Sequence, residues 1–451
     1  MLRLSWPSAT ATQSTMTGPA AVEVVVLGGG YVGLWATRSI ARGLRAQVAR
    51  GEVRITLISA MDHHAFHGWT AEVITGDVLP WHARVPISEL VPERVRRIHG
   101  EVIAADLVSR QVTVRTPDCE RQIPYQELVV AVGSRDARDR IPGLREHGWS
   151  VKDDGHLGML NRHLAQVASR AGGADAGERQ QLLTAVVAGG GLAGTEMACA
   201  ILERLRDEVG ARPELAGVGG EGLPRVVLVH SHDQLVSDLH PKVGDYATRQ
   251  LLKAGISVLY RQRLAEVTPT GAILDDGSRL ASATVLSALG QDVVRLPGTE
   301  GLPRDPRGRL ITDDFLQVAP NIWAGGDVGA VPRPNGGGEY CRSDALWAIA
   351  HGKHLGRNLA RSVGGRPQLR FDYGGLGRAA SLGVGAGAGE LHGVPLIGWP
   401  SWLMRWALFH WFMPSRRVAL RSAVAWFHRS PWPALVKTPE FRARMTGSAW
   451  D

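Results

Sequence analysis

Cysteine is almost absent: Cys119, Cys199 and Cys341 are the only three in 451 residues. No two lie close together and no CxxC occurs, which excludes a disulfide framework, a thiol redox motif and a structural zinc site. The scarcity fits a reducing compartment, and any electron transfer must run through a cofactor. Charged residues are few at 21% against 44% apolar residues, an ordinary globular balance that excludes wholesale disorder. No zinc-finger spacing or RNA-recognition signature is present, so nucleic acid is not an expected partner. The N-terminal "MLRLSWPSATATQSTMTGPA" lacks the apolar core of a signal peptide. Residues 1–21 read as a flexible leader, and the protein as cytoplasmic.

A net charge of +8 suits an anionic partner such as a membrane surface. The length allows two or three domains, each burying its own core. In "AVEVVVLGGGYVGLWATRSIA" an apolar β-branched run meets Gly28-x-Gly30-x-x-Gly33 and then a helical pattern. Glycines there permit a tight turn and close backbone approach, while the helix N-terminus offers free N–H groups to a pyrophosphate. The grammar returns in "LLTAVVAGGGLAGTEMACAILERL" with Gly189, Gly191 and Gly194. Two such units imply two dinucleotide sites. Further strands end at Gly133 in "ELVVAVGSRD", at Gly290 in "ATVLSALGQ", and at Asp327 in "IWAGGDVGAV".

These motifs, in this order over about residues 22 to 375, resemble the two-dinucleotide-binding flavoprotein superfamily. The resemblance implies an α/β protein with two Rossmann-like domains, one for FAD and one for NAD(P)H, plus a C-terminal helical, amphipathic region. Gly28, Gly30, Gly33, Gly133 and Asp327 match the FAD motifs, and Gly189, Gly191 and Gly194 the NAD(P)H motif, with Gly290 at a later strand end. Expected boundaries are 22–150 and 293–375 for the FAD domain, 151–292 for the NAD(P)H domain, and 376–451 for a membrane-association or dimerisation region.

Within the superfamily, "DHHAFHGWTAEVITGDV", "GGGLAGTEMA" and the stretch from "FDYGGLGRAA" to "FHWFM" are similar to the type II NADH dehydrogenases. Those are single-chain flavoproteins that sit on the membrane and pass electrons from NADH to quinone. Glu196 falls where that family has a glutamate near the nicotinamide; a favourable interaction with the helix dipole is the plainer reading. The paired redox cysteines of the disulfide reductases are missing, and Cys199 and Cys341 read as buried, inert thiols.

Three positions depart from the pattern. Ser59 replaces the ribose-binding acid after the second FAD strand and keeps one hydrogen-bonding hydroxyl. His230 stands where NADH enzymes place a carboxylate for the adenosine 2′-OH. A histidine removes the repulsion against a 2′-phosphate and can donate to it, so either NADH or NADPH is expected; otherwise His230 only ends a strand. Where the family has an AQxAxQ helix, this chain reads Ala345-Leu346-Trp347-Ala348-Ile349-Ala350. Ala345, Trp347, Ala348 and His351 are the expected acceptor pocket, with Trp347 as its flat wall, unless they are ordinary core.

The C-terminal "WPSWLMRWALFHWFMPSRR" puts Trp399, Trp402, Leu403, Trp406 and Phe409 at helical spacings beside Arg405, Arg416 and Arg417. That composition suits an in-plane interfacial helix within 396–430, and it also suits packing on the FAD domain or a homodimer contact. The run is too short to span a bilayer. The leading expectation is an FAD-dependent NAD(P)H dehydrogenase passing electrons to a quinone or similar acceptor, peripheral on the cytoplasmic face of the membrane. A soluble flavin oxidoreductase for a specialised small molecule or a carrier protein is the alternative, and a low-turnover redox-sensing flavoprotein the third.

Overall fold

A computed structural model describes residues 21–152, 154–215 and 223–429. The expected leader falls outside the described residues, Ala21 excepted, as does the C-terminal region beyond 429. The apolar run before the first glycine turn is strand β1 (Val22–Leu27), and the turn opens helix α1 (Tyr31–Gly43). Strand β2 (Val53–Ser59), helix α2 (Thr70–Thr75), β3 (Arg96–His99) and β4 (Glu127–Val130) follow. Helix α3 (Asp154–Ala171) leads into the second unit of β5 (Thr184–Ala188), α4 (Leu192–Gly210), β6 (Arg225–His230), α5 (Pro241–Ala254), β7 (Ser257–Tyr260) and β8 (Thr284–Ser287). The chain returns through β9 (Gln317–Ala319), β10 (Ile322–Ala324) and α6 (Ala345–Val363). It then forms β11 (Gly377–Ser381), β12 (Gly387–Leu391), β13 (Val394–Gly398), α7 (Trp399–Phe412) and α8 (Arg416–Arg429).

The first sheet has the order β9-β10-β4-β1-β2-β3, parallel except for β9. The second has the order β7-β6-β5-β8 and is parallel throughout. Read from the fourth strand, β4-β1-β2-β3 and β8-β5-β6-β7 are the same arrangement, so the sequence repeat is a fold repeat. In both, strand order reverses beside the strand that feeds the glycine turn, and ligands bind in the crevice at the carboxyl ends there. Both faces of each sheet are covered. Val24 and Val26 face one core and Val25 and Leu27 another, all fully buried, which is why β1 is a continuous β-branched run rather than an alternating one.

Two short strands, Ser134–Asp136 and Gln291–Val293, pair antiparallel and carry the chain between the sheets. Each follows a glycine of left-handed backbone, Gly133 at φ 70° and Gly290 at φ 100°. The C-terminal helices are not appended to this body but built into it. Trp402, Met413 and Trp426 share one core with Phe66 and Trp69 of the first unit and Met197 and Ile201 of the second. Among the described residues no helix is long and apolar enough to cross a membrane.

Candidate functional site

The two glycine turns are geometrically interchangeable. At Gly28 (φ 106°) a Cβ would stand 2.4 Å from the Ala131 carbonyl oxygen, and at Gly33 only 1.7 Å from that of Gly28. Gly189 (φ 114°) and Gly194 repeat both contacts, at 2.4 Å from Ala288 and 1.7 Å from Gly189. The middle glycines behave differently: a Cβ on Gly30 or Gly191 would meet no atom within 4 Å. Both are N-cap residues without a side-chain cap, so the first N–H groups of α1 and α4 face open space. A pyrophosphate needs that combination of close backbone approach and unpaired donors. The residues fit a dinucleotide at each turn.

Ser59 and His230 occupy equivalent places, beneath Gly29 and Gly190 respectively, where a Cβ on either glycine would strike them at 2.5–2.6 Å. The Ser59 hydroxyl accepts a hydrogen bond from the Met61 amide (3.3 Å). His230 is committed on both sides: Nδ1 accepts from the Gly190 amide (3.1 Å) and Nε2 donates to the Gln234 carbonyl (3.0 Å). Burial, first of all, keeps its pKa below the ordinary value. A neutral ring with both nitrogens in these protein hydrogen bonds leaves no donor for the expected contact with a 2′-phosphate.

Two other buried histidines are likewise bonded to a glycine. His351 Nδ1 accepts from the Gly326 amide (3.0 Å), and burial lowers its pKa to about 3. His64 Nδ1 donates to the Gly29 carbonyl (3.0 Å), with a pKa lowered by burial to about 4. Three of the turns that meet a cofactor in the expected scheme, at Gly29, Gly190 and Gly326, are thus each tied to a neutral imidazole.

Asp327 lies on the short turn Gly326–Val328. Its carboxylate receives the Lys152 ammonium (2.6 Å) and the Ser134 hydroxyl (2.5 Å), and Lys152 also reaches the Gln291 side-chain oxygen (2.7 Å). Burial alone would raise the Asp327 pKa, but Lys152 and Ser134 more than offset it and hold the group below its ordinary value. Ser134 and Gln291 directly follow Gly133 and Gly290, so the two crossovers converge on Asp327. Sequence adjacency to those glycines was a usable signal for both; nothing in the sequence marks Lys152.

Glu196, in the second turn of α4, is engaged elsewhere than expected. It accepts from the Ser381 amide (2.6 Å) and pairs with Arg405 of α7 (2.9 Å). Arg405, 3% exposed, also pairs with Glu72 of α2. Burial, followed by the neighbouring Glu72 against the opposing Arg405, raises the Glu196 carboxyl to about 7. Glu72 and Glu196 border a small cavity with Cys199, Ser381, Trp402 and Trp426. One arginine thereby joins both dinucleotide units to the C-terminal helix, and its role as a lipid-facing cation is corrected.

The expected acceptor residues are mostly inward. Trp347, Ala348 and His351 are buried and Ala345 half-buried. Trp347 packs edge to face on Tyr373 (4.9 Å) and near Phe371 (6.2 Å), so it seals α6 against the following segment and presents no open wall. Burial pushes the Cys199 and Cys341 thiols to about 12, which disfavours their thiolates.

The sequence pattern of the pyridine nucleotide-disulphide oxidoreductase family matches residues 22–344. The chain belongs to this family. An NADH dehydrogenase-like protein of Mycobacterium tuberculosis is 33% identical over 347 residues, covering 76% of this chain and 80% of that protein. The type II NADH:quinone oxidoreductase NdhA of the same organism is 28% identical over 404 residues, covering 85% and 82%. The solved structure of NDH2 from Plasmodium falciparum in complex with NADH shares the fold at a TM-score of 0.78 and 13% identity, covering 90% of this chain and 97% of that one. Membership makes the chain an oxidoreductase with FAD and NADH as cofactors.

Proposed function

We propose that the oxidoreductase passes electrons from NADH to a quinone at a membrane surface, with FAD at the first glycine turn and NADH at the second. The duplicated cradle carries this reading, because Gly30 and Gly191 both leave open space at a helix N-terminus that has no side-chain cap. The relatives named as NADH dehydrogenase-like and NADH:quinone oxidoreductase support it. FAD, when bound, accepts a hydride from the nicotinamide and passes the electrons onward one or two at a time.

The chain's own groups bind and orient. The N–H groups of α1 and α4 hold pyrophosphates; Asp327, kept ionised by Lys152, accepts hydrogen bonds from sugar-chain hydroxyls. Glu196 acts as a positioning residue, fixing α4 to Ser381 and Arg405 beside the nicotinamide end. With no donor free on His230, a 2′-phosphate gains nothing there, which favours NADH over NADPH. Outward-facing Trp399, Leu403 and Trp411, 58, 51 and 65% exposed, supply the apolar contact with lipid.

The test is anaerobic mixing of the flavin-loaded protein with NADH or NADPH, followed by a soluble short-chain quinone. Bleaching of the flavin band by NADH and its return on adding quinone are expected. Absence of bleaching with either nucleotide refutes the scheme, and return only with a non-quinone acceptor would favour the soluble oxidoreductase.

A further inference from the structure

Basic side chains from three elements converge at the corner between α7 and α8. Arg38 and Arg42 come from α1, Lys353 from α6, and Arg416 and Arg417 from the first turn of α8. The convergence has a backbone cause. Gly352 and Gly356 let α6 lie directly on α1, since a Cβ at either would stand 2.6 Å from the Val32 and 2.5 Å from the Ala36 carbonyl oxygen respectively. Arg38 then donates to the Pro414 carbonyl (3.0 Å) and fixes the corner to α1. Lys353 lies over the Phe412 ring (6.0 Å) and Arg416 over Trp411 (4.6 Å).

Among the described residues none of these five cations is paired with a carboxylate. Four of them act on one another instead: burial, then Arg38, Arg416 and Arg42, hold Lys353 below its ordinary pKa, and burial, Arg42 and Arg416 do the same to Arg38. Two arginines in the first turn of α8 also face the positive end of its dipole, with no acidic residue there to offset it. Only Arg42, in the last turn of α1, has a helix C-terminus in its favour. Like charges gathered this way oppose folding unless an anion completes them.

We infer that this corner is a binding site for the phosphate of an anionic lipid headgroup. Guanidinium groups match phosphate oxygens in paired hydrogen bonds. What selects a lipid phosphate is the setting: Trp411 beside the cluster and the Trp399–Leu403–Ala407–Trp411 stripe, at four-residue spacing on α7, put apolar rings next to cations, as the headgroup boundary requires. The site rests on the membrane reading above and adds lipid selectivity to it.

Sedimentation of the flavin-loaded protein with vesicles tests it, using phosphatidylcholine alone and phosphatidylcholine with about a quarter phosphatidylglycerol. The wild type should prefer the anionic vesicles by at least tenfold. Arg42→Gln with Lys353→Gln, both exposed, should erase most of that preference, about fivefold per charge, and leave binding to neutral vesicles unchanged. A control of equal charge change away from the corner, Arg279→Gln with Arg307→Gln, should keep the preference. A double variant that retains the preference, or a control that loses it equally, overturns the headgroup site while the membrane reading stands. Competition by inorganic phosphate beyond chloride of equal ionic strength, together with equal binding to the two vesicle compositions, overturns the lipid assignment in favour of free phosphate. A wild type that binds neither vesicle overturns the membrane reading and the site with it.

Discussion

At the scale of single residues, three imidazoles carry an unusual share of the cofactor geometry. His64, His230 and His351 each exchange one hydrogen bond with a glycine of a turn expected to face FAD or NADH. Their folded pKa values lie below the ordinary 6.5. A depressed value means that the stability they contribute is complete above pH 6.5 and is lost as the pH falls toward about 4 for His64 and about 3 for His351. Flavin fluorescence should therefore rise on acidification below about pH 6. His351→Gln, which can accept from Gly326 without titrating, should move that release to lower pH, whereas His351→Leu should lose flavin at every pH. For His230, loss of a buried hydrogen bond worth about 1 kcal/mol predicts that His230→Gln raises the KM for NADH several-fold and that for NADPH by the same factor. A change in the ratio of the two would restore a selectivity role to this position. The sequence located all three residues in motif-bearing stretches, yet a ring nitrogen's partner is a tertiary fact, and no spacing rule distinguishes a ligand-facing histidine from one that holds a turn.

At the scale of elements, the contact between α2, α4 and α7 decides how the units are joined. Arg405 neutralises Glu72 and Glu196 at once, and removing it would leave two buried carboxylates without a cation. Arg405→Ala should cost about 3–5 kcal/mol in a denaturant titration, with partial rescue by Arg405→Lys. The Glu196 pKa is raised from 4.5 to about 7, so its contribution has the opposite sign to that of the histidines: full below pH 4.5 and lost as pH rises through 7. A fall in melting temperature between pH 5 and 7 that is absent in Glu196→Gln would confirm it; parallel profiles would refute it. The sequence showed a helix rich in tryptophan but assigned its faces incompletely. Trp402, Trp406 and Phe409 turn inward toward Trp69 and Trp426, while Trp399, Leu403 and Trp411 turn outward. Both sets satisfy helical spacing, and only the partner surface determines which one is buried.

At the scale of the whole molecule, two copies of one strand order are held together by two antiparallel crossovers and by a C-terminal region that shares a core with both. That region therefore serves stability and surface contact together. Substituting the outward residues alone, Trp399→Ser with Trp411→Ser, should release the protein from vesicles of either composition while NADH oxidation with a soluble quinone persists. Loss of soluble-quinone activity in this variant would show that the outward stripe also shapes the acceptor site.

The sequence by itself determined the fold repeat, because β-branched runs, glycines that no other residue can replace and following helical patterns are local constraints with local causes. Only the tertiary structure decided which groups meet across those units: that His230 answers to Gly190, that Lys152 and Ser134 serve Asp327, and that an arginine from the last helices binds Glu72 and Glu196. Those pairs lie 40 to 333 residues apart, and burial, which sets their charge states, exists only once the chain has closed on itself.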